Sequence, residues 1–265
     1  MKNHFSFMVI KHTTKMSNVN LINKLILGDC LSVMQEIDDK SVDLILCDLP
    51  YGTTACKWDI IIPFEKLWPE YKRIIKDNCA IVLFGSEPFS SLMRMSNLKN
   101  FKYDWIWNKE RGVGMSTVKI RPMKQHEIVS VFAYGSHKYF PQMIPREKVL
   151  DSTNWKFETV LSENGNFNSK GKPGRIYTEK YPTSILNYHK DKGDCNGLRR
   201  VHPTQKPVEL LEYLIKTYTN ENDLVLDNCF GSASTLVAAK NLNRQFIGIE
   251  KEEKYFNIAK QRLNL

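Results

Sequence analysis

"DLVLDNCFGSASTLVAAK", residues 223–240, decides how this chain folds. An apolar run closes on an acid, Asp227, a turn carries Gly231, and apolar residues at helical spacing follow from Ser232. Strand, glycine turn and helix in that order make the repeating unit of an α/β sheet. Gly231 lets the backbone come close to a ligand. The helix N-terminus behind it offers unpaired N–H groups and a positive dipole end. Glu250 closes the next strand, "RQFIGIE" (244–250), where a carboxylate accepts from both hydroxyls of a ribose. Neither G-x-G-x-x-G nor G-x-x-x-x-G-K-[ST] is present, so the expectation is a nucleotide-like cofactor without a pyrophosphate. The same turn also serves α/β proteins that bind nothing there.

Outward from this stretch the alternation recurs. "KLILGD" (24–29), "VDLILCD" (42–48) and "CAIVLFG" (79–85) read as strands, the last two apolar almost throughout, as strands covered on both faces are. "CLSVMQEI" (30–37), "FEKLWPEYKRII" (64–75), "KPVELLEYLIKTYT" (206–219) and "EKYFNIAKQRL" (253–263) read as helices. Pro69 is expected to bend the second of these or to mark a late start, and Pro207 to sit in a first turn. "YDWIWNK" (103–109) and "HEIVSVFAYG" (126–135) alternate, which places them nearer an edge, with one of Trp105 and Trp107 facing the core. His126 and Glu127 read as a satisfied polar pair. The expected architecture is α/β, a mostly parallel twisted sheet with helices on both faces. Ligands of such sheets bind at the carboxyl ends of the strands. Asp48, Asp227 and Glu250 end strands and Asp29 follows one, so four acids are expected on one edge. A polar ligand explains that convergence better than four helix caps do.

No run of 18 apolar residues occurs, so no membrane span is expected. The first 22 residues lack a small-residue cleavage site and read as an extension ahead of a domain at 23–265. Cysteines at 30, 47, 56, 79, 195 and 229 form no Cys-x-x-Cys pair and no zinc-ligand spacing. Free thiols, a cytoplasmic location and no metal are therefore expected. The net charge of +9 is uneven: from Lys99 to Lys206 there are 20 Lys+Arg against 10 Asp+Glu, and elsewhere 18 against 19. Residues 136–201, rich in Lys, Asn, Gly, Ser and Tyr, are the least periodic, and "SENGNFNSKGKPGR" (162–175) is a loop by composition. A basic middle on a neutral scaffold fits a polyanion partner; a solvated basic surface is the plainer alternative.

A second stretch, "CDLPYGTTACKWD" (47–59), ends a buried strand on Asp48 and places a proline and an aromatic ring behind it. These residue types suit methyl transfer to an exocyclic base amine. Such a nitrogen is poorly nucleophilic because its lone pair is delocalised into the ring. An acceptor on Asp48, with the carbonyl of the next residue, would bind both amine protons and free the lone pair for in-line attack. Tyr51 would stack on a base flipped from the duplex, and Pro50 would fix the backbone between them. Trp58 and Asp59, just beyond, either shape a lid or simply pack.

Here a family resemblance enters. "DLPY" (48–51) resembles the Asp-Pro-Pro-Tyr motif of DNA amino-methyltransferases that use S-adenosylmethionine, and "DNCFGSAST" (227–235) resembles their cofactor loop. "HPTQKPVELLEYLI" (202–215) is similar to the segment leading into the helix before that loop, and "GDCLSVM" (28–34) to an acid-bearing turn that contacts the cofactor's adenine. The catalytic motif comes first and the cofactor loop last, the permuted order of the β group, with target recognition between. The resemblance implies a Rossmann-like methyltransferase fold with a basic target-recognition insertion at 136–201. It implies that Asp48, Leu49, Pro50 and Tyr51 hold the base. Asp227, Phe230, Gly231 and Ser232 would approach the methionine part. Glu250 would take the ribose hydroxyls, the turn of Asp29 and Cys30 the adenine, and Thr204, Gln205 and Lys206 the carboxylate end. Lys170, Lys172, Arg175, Arg199 and Arg200 are candidate contacts to double-stranded DNA; a solvated surface is the alternative for the last two. Leu49 stands where the family has a proline, and Ala233 where it has a second glycine, which an alanine fills only with a negative φ.

The expected activity is N6 methylation of adenine, because N4-cytosine enzymes of the family usually carry serine in place of Asp48; N4-cytosine is the alternative. No proline precedes a cysteine, which disfavours C5-cytosine chemistry. An RNA target, a non-catalytic DNA-binding descendant and a small-molecule methyltransferase are the rival readings. The family admits a restriction endonuclease partner, and either a monomer or a homodimer.

Overall fold

The structure is a computed structural model that describes residues 21–54, 56, 59–153, 160–161, 167–168, 175–189 and 205–265. An eight-stranded sheet runs in the order β1 (Lys24–Leu27), β12 (Gln245–Glu250), β11 (Leu224–Asp227), β2 (Val42–Cys47), β3 (Ile75–Gly85), β5 (Lys124–Phe132), β4 (Phe101–Val113), β10 (Ile185–Asn187). Neighbours pair in parallel except β5, which is antiparallel to both β3 and β4. Every residue of β2 is buried, as its unbroken apolar run requires.

Successive residues of a strand face opposite ways, and β2 shows where they go. Leu44 and Leu46, with Val82 and Phe84 of β3, pack under α4 (Val208–Tyr218), α5 (Ser234–Asn241) and α6 (Glu253–Leu263) through Leu210, Leu214, Leu236 and Leu263. Ile45 and Cys47, with Ile81 and Leu83, pack on the other face under α1 (Cys30–Met34), α2 (Phe64–Ile74) and α3 (Phe89–Ser96) through Met34, Leu67, Tyr71, Phe89 and Met93. Gly248 lies where α5 and the preceding turn meet β12. A Cβ there would come within 2.8 Å of the Phe230 ring and closer still to Leu236, so a side chain would lift both off the strand.

From β2 the chain moves outward to β3; from β11 it moves the other way, to β12. Leu44 and Ile45 pair with Val225 and Leu226 at this change of direction, so Asp48 and Asp227 emerge side by side at the carboxyl edge. That is the place where doubly wound sheets open a crevice.

Several expectations are corrected. Helix α2 does not start late at Pro69: it begins at Phe64 and runs through the proline. Trp105 and Trp107 are both buried, because residues two apart on a strand share a face. Helix α3 had no counterpart in the sequence reading. The irregular middle contains paired strands: β6 (Ile144–Asp151) with β9 (Ile176–Lys180), and β7 (Val160–Leu161) with β8 (Phe167–Asn168). Strand β6 is exposed along most of its length, so it carries no alternation for periodicity to detect. Residues 1–20, within the expected extension, lie outside the described residues. Among the described residues no helix is long and apolar enough to cross a membrane.

Candidate active site

At the carboxyl edge a cleft of about 330 Å³ is lined by Gly28 to Leu31, Asp48 to Tyr51, Gln205, Lys206, Asp227 to Ser232 and Glu250, among others. Its two halves rise from the two sides of the sheet's change of direction.

On the β11–β12 side the turn after Asp227 is tied to the end of β12. Gly231, at φ +52°, donates its N–H to Glu250 Oε2 at 2.8 Å, while Lys251 and Glu252 donate theirs to Oε1 at 2.8 and 2.9 Å. Burial pushes the Glu250 carboxyl up, and these N–H groups offset part of the rise. Asp227 is 2% exposed, and burial pushes its carboxyl to about 7 despite hydrogen bonds from Thr235 and the Cys229 N–H. Ala233 precedes α5 at φ +62°, the left-handed region, so the expected negative φ is overturned. The Ala233 N–H donates to the Phe230 carbonyl at 2.7 Å as the turn closes, and the chain enters α5 from there. No side chain caps the N-terminus of α5. From α6, Arg262 donates to the Ser232 carbonyl and secures the turn from outside. Asp29 caps α1, accepting from the N–H groups of Leu31 and Ser32 through Oδ1. Cys30 is buried beside Cys229, whose hydrogen bond and burial push its thiol up; both remain protonated packing groups.

On the β2 side, Asp48 is held at both oxygens: Tyr51 donates its hydroxyl to Oδ1 at 2.5 Å and Lys206 its ammonium to Oδ2 at 2.5 Å. Burial raises the Asp48 carboxyl, Lys206 opposes the rise, and the net is upward. Tyr51 stacks on Phe89 with ring centroids 4.9 Å apart, so one ring face is backed. Leu49 is buried. The loop after Tyr51 is drawn in by Asp59, which accepts from the N–H groups of Gly52, Thr53 and Thr54 at 2.7–3.0 Å. Asp59 is 7% exposed and packs the loop from beneath.

The expected residues of both motifs thus meet in one cleft, Gln205 included. Lys206 is turned towards Asp48 and not towards the α5 end. Arg175 is exposed and does not line the cleft; its carbonyl accepts from the Ser152 N–H and hydroxyl, and its N–H donates to the Ser152 Oγ. Lys170, Lys172, Arg199, Arg200, Thr204 and Trp58 lie outside the described residues. Glu127 of β5, expected to form a satisfied pair with His126, is partnered by two lysines, and with Lys109 of β4, which the sequence did not single out, it reaches the Asp48 end. Lys206 approaches Glu127 Oε2 at 3.2 Å, and Lys109 pairs with Oε1. Their only sequence signal was charge inside a strand, and β4–β5 pairing, not chain proximity, brings them together.

An acid-rimmed cleft at the crossing of a doubly wound sheet is the arrangement of a Rossmann-like fold that binds its ligand at the strand ends. Residues 42–261 match the DNA methylase family, the N6/N4 methyltransferases, and the chain belongs to it. It is 29% identical over 257 residues to the type II methyltransferase M1.MboII of Moraxella bovis, covering 92% of this chain and 97% of that one. It is 27% identical over 275 residues to M.HinfI of Haemophilus influenzae, covering 93% and 70%. Among solved structures, the M1.HpyAVI–SAM complex matches with a TM-score of 0.60 at 24% identity, over 91% of this chain and 99% of that one. The PvuII DNA methyltransferase, described as cytosine-N4-specific, matches with a TM-score of 0.57 at 17% identity, over 91% and 92%. These structural likenesses show a shared fold.

Proposed function

We propose that this protein methylates the N6 amine of adenine in double-stranded DNA, using S-adenosylmethionine. The observation that carries the reading is Asp48, an oriented carboxylate beside a backed aromatic ring, Tyr51, in the same cleft as the glycine turn and Glu250.

The cleft fits the cofactor. Asp29, Asp48, Asp227 and Glu250 line it, and a predominantly acidic wall suits a cationic sulfonium better than a pyrophosphate. Glu250 would take the ribose, Asp29 the adenine amine, and the turn 230–232 with Asp227 the methionine part. When bound, the cofactor supplies an electrophilic methyl group. Asp48 accepts one proton of the target amine and the Leu49 carbonyl the other, which localises the nitrogen lone pair. Tyr51 stacks on the flipped base from the face opposite Phe89. With the cofactor bound, the amine nitrogen would take the methyl group as its bond to sulfur breaks, and the extra amine proton would pass to the Asp48 carboxylate hydrogen-bonded to it. Residues 136–201 would carry target recognition, with Lys170, Lys172, Arg175, Arg199 and Arg200 as phosphate contacts.

The test is transfer of radiolabelled methyl groups to unmethylated bacterial genomic DNA, followed by nucleoside mass spectrometry. N6-methyl-2′-deoxyadenosine is expected. N4-methylcytosine alone would replace adenine by cytosine, and no incorporation would overturn the enzyme reading. Asp48→Ala should abolish transfer while S-adenosylmethionine still binds in calorimetry.

A further inference from the structure

Asp48 belongs to a chain of charges that alternate in sign, two buried lysines between and beside two half-buried acids. Lys206 Nζ lies 2.5 Å from Asp48 Oδ2 and 3.2 Å from Glu127 Oε2, and Lys109 pairs with Glu127 Oε1. Lys206 and Lys109 are each 6% exposed. Their ammonium groups lie over aromatic rings, Lys206 5.0 Å from the centroid of Phe84 and Lys109 5.0 Å from that of Trp107. Buried ion pairs contribute little net stability, so their presence beside a reacting group calls for a role in the reaction. The spacing is unequal. Lys206 makes a full hydrogen bond to Asp48, whereas Glu127 Oε2, though within ion-pair distance, makes no aligned hydrogen bond.

Resting on the amine-methylation reading above, we infer that Lys206 is a positioning residue that aims Asp48 at the target amine and shifts its ammonium, still protonated, from Asp48 to Glu127 as the amine takes Oδ2. Tyr51 already holds Oδ1, so with Lys206 on Oδ2 the carboxylate cannot rotate. An amine proton arriving at Oδ2 competes with the ammonium. Lys206 can yield because a second acid lies beside it, so no step leaves a bare buried cation. Lys109 keeps that acid in place. Burial alone would depress the Lys206 ammonium, but the two carboxylates outweigh it, and Glu127 is held at about 2 against the pull of burial by Lys206 and Lys109.

The charged and titratable groups around Asp48 and its partner Glu127 come from six segments: Lys206 ahead of α4, Tyr51 from the turn of Asp48 itself, Cys47 from β2, Lys124 from β5 beside Glu127, Lys109 from β4, and Asp227 from β11. Removing Lys206 takes away the cation that favours the Asp48 carboxylate; removing Glu127 takes away an anion that opposes it. The two changes therefore displace the acid limb of the rate in opposite directions.

The experiment is single-turnover methyl transfer from radiolabelled S-adenosylmethionine to unmethylated bacterial genomic DNA, across pH, with folding followed by circular dichroism. Lys206→Met should move the acid limb to higher pH and lose at least about tenfold in rate at its acid end, tenfold being one pH unit of displacement. Glu127→Gln should move the limb to lower pH while lowering the plateau. Lys206→Arg, which keeps the charge, should leave the limb where wild type has it. Slower variants with unmoved limbs would show a merely structural network and overturn the inference. If Lys206→Met does not fold, the direction of the Glu127→Gln limb decides alone. A wild-type protein that transfers no methyl to DNA overturns the functional reading itself, and this inference with it.

Discussion

Two residues of the glycine turn carry opposed demands of fold and chemistry. Ala233 adopts φ +62° and is fully buried. The left-handed conformation costs an L-residue about 1–2 kcal/mol, while its buried methyl returns about 0.8 kcal/mol and glycine would add unfolded-chain entropy of similar size. The near balance predicts that Ala233→Gly changes unfolding free energy by less than about 1 kcal/mol. Ala233→Val, β-branched at positive φ in a filled space, should cost more than about 2 kcal/mol. Chemical denaturation of both variants checks this; a harmless valine would mean the turn relaxes to negative φ. Asp227 gives a pH signature. A carboxyl raised from 3.8 to about 7 in the folded state stabilises fully below pH 3.8 and loses that contribution as pH rises through about 7. At ~1.4 kcal/mol per tenfold change in proton affinity, the ionisation cost is capped at roughly 4 kcal/mol. Asp227→Asn should therefore gain stability over wild type at pH 8, with the gain shrinking towards pH 5, as urea midpoints at the two values would show. A pH-independent difference would contradict the assignment. The residue types of both motifs were legible because short-range chemistry fixes them. Glu127 and Lys109 were not, since their meaning comes from a strand pairing that one-dimensional spacing does not contain.

Among the elements, those with continuous apolar runs or helical periodicity were legible: β2, β11, β12, α4 and α6 fall within a few residues of expectation. The elements missed are short or exposed. Helix α3 spans eight residues and buries Phe89, Ser90 and Met93, too brief a stripe to stand out. Strands β6 and β9 are defined by backbone pairing, and none of their residues is buried. The loop after Tyr51 is an element made by one acid. Asp59→Ala removes the acceptor for three consecutive N–H groups, so transfer should fall at least tenfold while S-adenosylmethionine affinity holds within about twofold, the latter because Glu250 and Gly231 are untouched. Calorimetry beside a transfer assay checks this; an equal loss in both would tie the loop to the cofactor half. Burial pulls the Asp59 carboxyl up, but hydrogen bonds from Thr54 and the backbone of 52–54 win and hold it low. Its contribution is thus present above pH 3.8 and lost only as pH falls through a still lower value.

At the scale of the molecule, the fold class was legible from order alone, strand and helix alternating with acids at strand ends. The placement of the basic middle was not, because charge counts carry no direction. The +9 net charge with 20 cations between Lys99 and Lys206 predicts phosphate-led DNA binding whose log affinity falls linearly with log salt. Roughly 6–10 phosphate contacts would lose about 10³–10⁵ in affinity between about 50 and 200 mM salt. Lys170, Lys172 and Arg175 replaced together by Ala should flatten that slope in fluorescence anisotropy without changing cofactor affinity. An unchanged slope would assign the field to other cations, such as Lys119 and Arg121 in the exposed β4–β5 connection, where Ile120 is 84% exposed.

The pairing of β2 with β11 also bears on how the protein comes to exist. Ile45 meets Leu226 and Leu27 meets Glu250, so most of the chain must be made before the middle of the sheet closes. Until then a nascent chain carries β2, six apolar-rich residues, with one hydrogen-bonding edge unpaired. Topologies dominated by such distant contacts fold slowly and are prone to association while they wait. The adjacency that brings Asp48 to Asp227 makes synthesis the vulnerable stage of this protein's life.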